Sequence, residues 1–172
     1  MARDPLADPG PLIRRVYAYV AYRIGHGAEA EDVTSETFER ALRYRDSYDP
    51  KRGEPVAWLI GIARRCIEGA RMRPEPVAAP EDTADTLDIE AETVERLTLA
   101  QAVDRLDERD RELIALRYGS DLSARQIGEV LELRTNAVEV ALHRALGRLR
   151  KLLEGEDAAQ AEARLRERPS TL

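Results

Sequence analysis

The chain has 172 residues, enough for one ordinary domain or two small ones. It carries 27 basic and 33 acidic side chains, and a net charge of −6 spread evenly would repel nucleic acid. No apolar run approaches the roughly 18 residues that span a bilayer, no apolar leader opens the chain, and the single Cys66 excludes an intramolecular disulfide or a cysteine-based zinc site. With only His26 and His143 and no convergent acid-base set, the expectation is a soluble cytoplasmic protein that is not an enzyme and has no metal or cofactor.

The first predicted helix runs from about Pro11 to Ile24, with Leu12, Ile13, Val16, Tyr17 and Val20 as its buried stripe and Gly25 and Gly27 ending it. The second starts near Glu29, with acid in its first turn, where the helix dipole favours it. Val33, Thr37, Phe38, Ala41 and Leu42 line its inner side, and Asp32, Glu36, Glu39 and Arg40 stay outside. A loop, Asp46-Ser47-Tyr48-Asp49-Pro50-Lys51-Arg52-Gly53, leads to Pro55, which opens a third helix to about Arg71. Val56, Leu59, Ile60, Ala63 and Ile67 fall on one side of it; Trp58, Gly61, Ile62 and Arg65, with Arg64 beside them, fall on another. An aromatic among cations suits single-stranded nucleic acid, although a lone Trp in a small helical domain is also commonly a core residue.

Pro74, Pro76 and Pro80 then interrupt the chain amid small and acidic residues, the composition of a stretched, solvated linker. The charge divides at the same place. Residues 11–73 carry +3, residues 74–100 carry −7 and residues 101–153 carry +1. The acidity therefore sits mainly in one segment, and the argument against nucleic acid does not reach the two flanking halves.

Beyond the linker a helix from about Glu92 to Leu106 is expected to bury Val94, Leu97, Val103 and Leu106. Asp107, with Asp110 three residues on, starts the next helix, which stops at Gly119. Ser123-Ala124-Arg125-Gln126 is a capping box. A break at Glu132-Leu133-Arg134 precedes Thr135, read as the cap of a long helix carrying Val138, Leu142, Ala145, Leu149 and Leu152. A short capped helix, a tight turn and a second helix compose a helix-turn-helix, whose second helix enters the major groove. Arg134, Thr135, Asn136, Glu139, Val140 and His143 are its candidate readers, and Arg144, Arg148, Arg150 and Lys151 face phosphate. A plain four-helix domain with a solvated basic helix fits the same pattern.

The two halves together resemble the extracytoplasmic-function sigma factors, the small two-domain branch of the bacterial sigma-70 family. Ala30 to Leu42 (AEDVTSETFERAL) resembles region 2.2, and Asp49 to Gly53 with Ala57 to Arg64 resembles regions 2.3 and 2.4. Leu106 to Leu152 resembles region 4. The resemblance implies an all-α chain of two small domains: region 2 over 1–73, an acidic flexible linker over 74–91, region 4 over 92–153 and a tail over 154–172. It implies docking on the polymerase clamp through Asp32, Ser35, Glu36, Glu39 and Arg40. It implies capture of a flipped −10 base by the loop with Ser47, Tyr48, Asp49, Lys51 and Arg52, supported by Trp58, Arg64 and Arg65. Region 4, with Arg125, Arg134, Thr135, Asn136, Glu139, Val140, His143 and Arg144, is implied to read the −35 element and rest on the polymerase flap. The linker is implied to thread toward the RNA exit path. Partners implied are RNA polymerase core, promoter DNA and an anti-sigma factor, with membrane association only through the latter.

This sequence departs from the family pattern at several positions. Glu132 stands where the turn usually has Gly, which costs roughly 1 kcal/mol if the backbone there is left-handed. Arg134 replaces the usual Ser cap, Glu139 a usual Lys or Arg, Val140 a small polar residue, and Arg65 a common Asn. These changes bear on which promoter sequence is read. The tail is expected to be disordered, a helix through Ala159, Ala163 and Leu165 being the alternative.

Overall fold

The computed structural model describes residues 4–72 and 90–166, the second stretch with side chains from 95 to 155. The expected linker lies almost wholly outside these residues. Among those described there are seven α-helices and no strand: α1 (Pro9–Ile24), α2 (Ala28–Arg43), α3 (Pro55–Arg71), α4 (Glu90–Asp104), α5 (Glu108–Ile114), α6 (Ala124–Leu131) and α7 (Thr135–Arg166). A 3₁₀ turn at Arg45–Ser47 follows α2, and a π-helical turn at Ala115–Gly119 prolongs α5.

The local signals explain most boundaries. Pro9 and Pro55 sit in the first turns of α1 and α3, where the missing N–H costs nothing. Asp107 accepts from the Asp110 amide at 2.8 Å, and Ser123 and Gln126 close both bonds of the capping box. The turn between α6 and α7 adopts the left-handed conformation the family's glycine would favour: Glu132 has φ 57° and ψ 40°. It is tight because the Leu133 amide bonds back to the Gly128 carbonyl at 2.9 Å. A Cβ on Gly128 would lie 2.6 Å from the Leu133 carbonyl oxygen, so only glycine lets the turn close this far.

Several expectations need correction. Thr135 is not the cap of α7. The Arg134 carbonyl accepts from the amides of Ala137 and Val138, at 2.9 and 3.1 Å, so Arg134 holds the cap position with a side chain that has no acceptor to offer. Leu42 is exposed, because α2 turns Ala30, Val33, Thr34, Thr37 and Ala41 toward α1 and α3, and the next residue round points away. Leu97 is exposed because α4 packs on α7 through Ala102 and Val103, with Leu106 just beyond the helix. Ile13 is half-exposed. The backbone past residue 153 is helical to Arg166 rather than disordered.

The two small helical domains expected on either side of the linker are present, and they pack against each other. Val16, Tyr19 and Val20 of α1 and Leu59 and Ile60 of α3 share one core with Leu113, Leu116, Leu122, Ile127 and Val138 from the other half. Burying each such apolar side chain contributes about 1.5–3 kcal/mol. α1 packs against the π-helical turn, where Gly119 meets the backbone of Tyr19 so closely that an added Cβ would lie 2.9 Å from the Tyr19 N and Cα.

Two substitutions test the turn. Gly128→Ala is expected to lower stability by about 2 kcal/mol or more through the forced shift of the turn. Glu132→Gly should raise it by about 1 kcal/mol by relieving the left-handed conformation. Denaturant midpoints of the full chain check both, and an unchanged midpoint for Gly128→Ala would show that the turn yields freely.

Candidate nucleic-acid interface

The exposed face of α2 gathers the first predicted group. Asp32, Ser35 and Glu39 are exposed, and Glu36 and Arg40 are half-buried and paired at 2.6 Å. Spacings of three and four residues place all five on one side of the helix, away from its packing against α1 and α3.

The second group surrounds a cavity of about 560 Å³. The loop after α2 supplies Ser47, Tyr48, Asp49 and Arg52, and α3 supplies Trp58 and Arg65. The loop is held by its own hydrogen bonds. Ser47 Oγ donates to the Tyr44 carbonyl at 2.7 Å, the Lys51 amide to Asp49 Oδ1 at 3.0 Å, and the Tyr48 hydroxyl to the Gly53 carbonyl at 3.0 Å. The Tyr48 and Trp58 rings lie 5.5 Å apart, tilted by 55°, as a paired aromatic platform. Burial first, then the charges of Glu54 and Asp49, raise the Tyr48 phenol above its ordinary range, so it stays a neutral donor. Half-buried aromatics with two cations at the rim can hold an unstacked base and its backbone.

Two predicted members sit elsewhere. Lys51 lines an adjoining cavity with Arg125 and Gln126. Arg64 turns away: its Nε lies 3.1 Å from Glu112 Oε1 and it donates to the Val130 carbonyl at 3.3 Å, both across the junction between the halves. The sequence also gave no sign that Glu129 and Val130 of α6 line the first cavity beside Trp58 and Arg65.

At the N-terminus of α7, Arg134, Thr135, Asn136, Glu139, Val140, His143 and Arg144 are all exposed. Three- and four-residue spacing puts Asn136, Glu139, Val140 and His143 on one face, the surface a recognition helix presents to a groove. Arg125 on α6 is exposed and pairs with Glu129 at 3.2 Å. Arg148 is exposed, and its guanidinium is bidentate on the buried Asp110 carboxylate, with Nη2 to Oδ1 at 2.7 Å.

The polar centre that sequence reasoning missed lies between the halves. Glu112 is buried. It accepts from the Tyr19 hydroxyl at 3.0 Å, and Arg23 Nε lies 2.7 Å from its Oε2, with the N–H directed off the line of contact. Arg64 completes the set. Glu108, at the surface beside it, binds Arg71 and Arg23, and the hydrogen bond from Arg71 leads in lowering its pKa. Val16, Tyr19, Val20 and Arg23 follow helical spacing, so the signal was present. Val16 and Val20 are buried as expected, and the fold buries Tyr19 where the expected stripe has Tyr17.

Burial first, then the Glu112 charge, hold the Tyr19 phenol well above its ordinary value of about 10. The folded chain keeps this proton where the unfolded chain releases it. Its contribution to stability is full below pH about 10 and is lost as pH rises beyond it. Denaturant midpoints across about pH 9 to 11 should fall more steeply for the wild type than for Tyr19→Phe. Equal slopes would assign the alkaline loss to another group.

Residues 11–71 match the family profile of sigma-70 region 2, and residues 96–149 match that of sigma-70 region 4. The ECF RNA polymerase sigma factor SigD of Mycobacterium bovis is 33% identical, over 86% of this chain and 74% of that protein. SigW of Bacillus subtilis is 29% identical, over 88% and 90%. BldN of Streptomyces coelicolor is 33% identical over 80% of this chain, which spans 56% of BldN's length. Among solved structures, CnrH in complex with the cytosolic domain of CnrY superposes with a TM-score of 0.62 at 27% identity, covering 87% of this chain and 85% of that one. The sigma factor RpoE of Bartonella quintana, in complex with the anti-sigma factor NepR, shares the fold with a TM-score of 0.62 at 21% identity, covering 83% and 92%.

Proposed function

Because the chain belongs to the extracytoplasmic-function sigma factors of the sigma-70 family, we propose that it binds bacterial RNA polymerase core and directs initiation at specific promoters, melting and reading the −10 element and reading the −35 element under anti-sigma control. The observation that carries this reading is the pairing, in one chain, of an aromatic and cationic cavity with an exposed recognition helix.

The acidic face of α2 docks on the clamp. The cavity takes a base of the displaced −10 strand, whose extrusion costs a few kcal/mol. Stacking on Trp58 and Tyr48 returns about 1–3 kcal/mol per base, and Arg52 and Arg65 hold the backbone. The exposed face of α7 reads duplex at −35. Asn136 offers the bidentate pattern that adenine accepts, and Glu139 can take a hydrogen bond from cytosine N4. No residue of this chain performs chemistry; it places the polymerase. Net charges of only +3 and +1 on the two halves make free DNA affinity weak, and attachment to polymerase raises the local concentration of both elements. The complexes of CnrH with CnrY and of RpoE with NepR support regulation by an anti-sigma partner.

Purified chain mixed with core polymerase should co-elute and support transcription from a subset of genomic fragments. Duplex binding with no core association at micromolar concentration would make it an ordinary helix-turn-helix regulator instead. Asp32→Arg combined with Glu36→Arg should abolish core binding without loss of helicity; unchanged transcription would misplace the docking face. Glu139→Arg should shift the −35 preference or steepen the salt dependence of DNA binding by about one ion. An unchanged promoter profile would place Glu139 away from DNA.

A further inference from the structure

One apolar side chain on the exposed face of α7 joins neither hydrophobic core among the described residues. Val140, a branched aliphatic group, is 51% exposed at the centre of that face. It stands two residues from buried Val138 and two from buried Leu142, and at about 100° per residue either step leads to the side opposite the core. Packing therefore gives no reason for an apolar residue here. Helix propensity gives none either, since an exposed valine is a poorer helix former than alanine or arginine. The residues around it are polar: Asn136 one turn before, Glu139 and His143 on one flank and Arg144 on the other, all exposed.

We propose that Val140 selects a thymine in the −35 element by packing its branched side chain against the C5 methyl group in the major groove. The inference deepens the proposed function and rests on it for the placement of α7 on duplex DNA. Thymine alone among the four bases carries a methyl group on its major-groove edge. Against the other three, valine faces a bare C5–H or hydrogen-bonding groups that it strips of water without replacing their bonds. The side chain is suited to the contact. In a helix valine keeps one χ1 rotamer about nine-tenths of the time, so little freedom is lost on docking. Val138 and Leu142, buried on the inner side, hold the helix beneath it.

The helix also limits where that thymine lies. Side chains four apart on one face have Cβ atoms about 5–6 Å apart, and bases along a strand are spaced by roughly 3.4 Å. An adenine held by Asn136 and the thymine under Val140 are therefore one or two base pairs apart. The contact is to a methyl group rather than to a hydrogen-bond pattern, so 5-methylcytosine at the same position satisfies it in part. Full-length protein assembled with core polymerase would select its −35 sequence from duplex promoters randomised over that element. Each thymine selected would then be replaced in turn by deoxyuridine, which removes the methyl alone, and binding measured by fluorescence anisotropy. At the thymine one or two base pairs from an adenine, the loss should be about three- to fivefold, the worth of one buried methyl group. Cytosine there should bind more weakly than 5-methylcytosine. For Val140→Ala the thymine-to-deoxyuridine ratio should fall below about twofold, and Val140→Ile should keep it.

A selected element with no thymine at that spacing overturns the proposal. So does equal binding of thymine and deoxyuridine promoters by the wild type, or a ratio that persists in Val140→Ala. Val140 is exposed, so both variants should keep the helicity of the wild type by circular dichroism. Core-polymerase assembly is scored separately: its absence sinks the sigma-factor role, and the same thymine-to-deoxyuridine ratio, measured with the full chain on duplex it selects alone, then decides the Val140 contact.

Discussion

One buried carboxylate organises the molecule. Glu112 lies between the two halves and receives Tyr19 and Arg23 from α1 and Arg64 from α3. A carboxylate taken out of water at such a junction is tolerated only when hydrogen bonds and counter-charges replace its hydration. Removing one partner of a buried pair typically costs about 3–5 kcal/mol, because the remaining charge is left uncompensated. The apolar contacts around it, Val16 and Val20 against Leu113 and Leu116, follow from the approach that this cluster and Gly119 allow.

The same cluster sorts the arginines. With 25 arginines and 2 lysines, composition alone says little about which ones reach nucleic acid. Arg23, Arg64 and Arg148 are paired with Glu112, Glu108 and Asp110 of the same chain. Arg52 and Arg65 remain at the cavity, and Arg134 and Arg144 on the recognition helix. The guanidinium fork serves both uses, and position in the fold decides between them. Arg64 is the instructive case: its guanidinium bonds Glu112 and the Val130 carbonyl across the junction rather than lining the aromatic cavity.

The two candidate nucleic-acid surfaces differ in which elements build them. The exposed face of α7 follows a turn internal to its own half, with Gly128 and the left-handed Glu132 setting the approach of α6 and α7, while Val138 and Leu142 on its inner side join the core shared with α1 and α3. The aromatic cavity has its loop and platform in the first half, but part of its wall comes from α6.

Much was legible from the chain alone. Helix starts at Pro55, Asp107 and Ser123, the acidic face of α2 and the exposed face of α7 all follow from interactions between residues a few positions apart. Such interactions are written directly into spacing and capping chemistry. The aromatic cavity was half legible: its loop and Trp58 could be named, but not the α6 side of its wall. The burial of Tyr19 rather than Tyr17, the exposure of Leu42 and Leu97, the pairing of Arg64 and Arg148 with carboxylates of the chain and the burial of Glu112 are decided only in three dimensions. Each depends on which helix lies opposite, through contacts separated by up to about a hundred positions, as in Tyr19 with Glu112. Local periodicity marks the apolar side of a helix. It carries no record of the partner that covers that side.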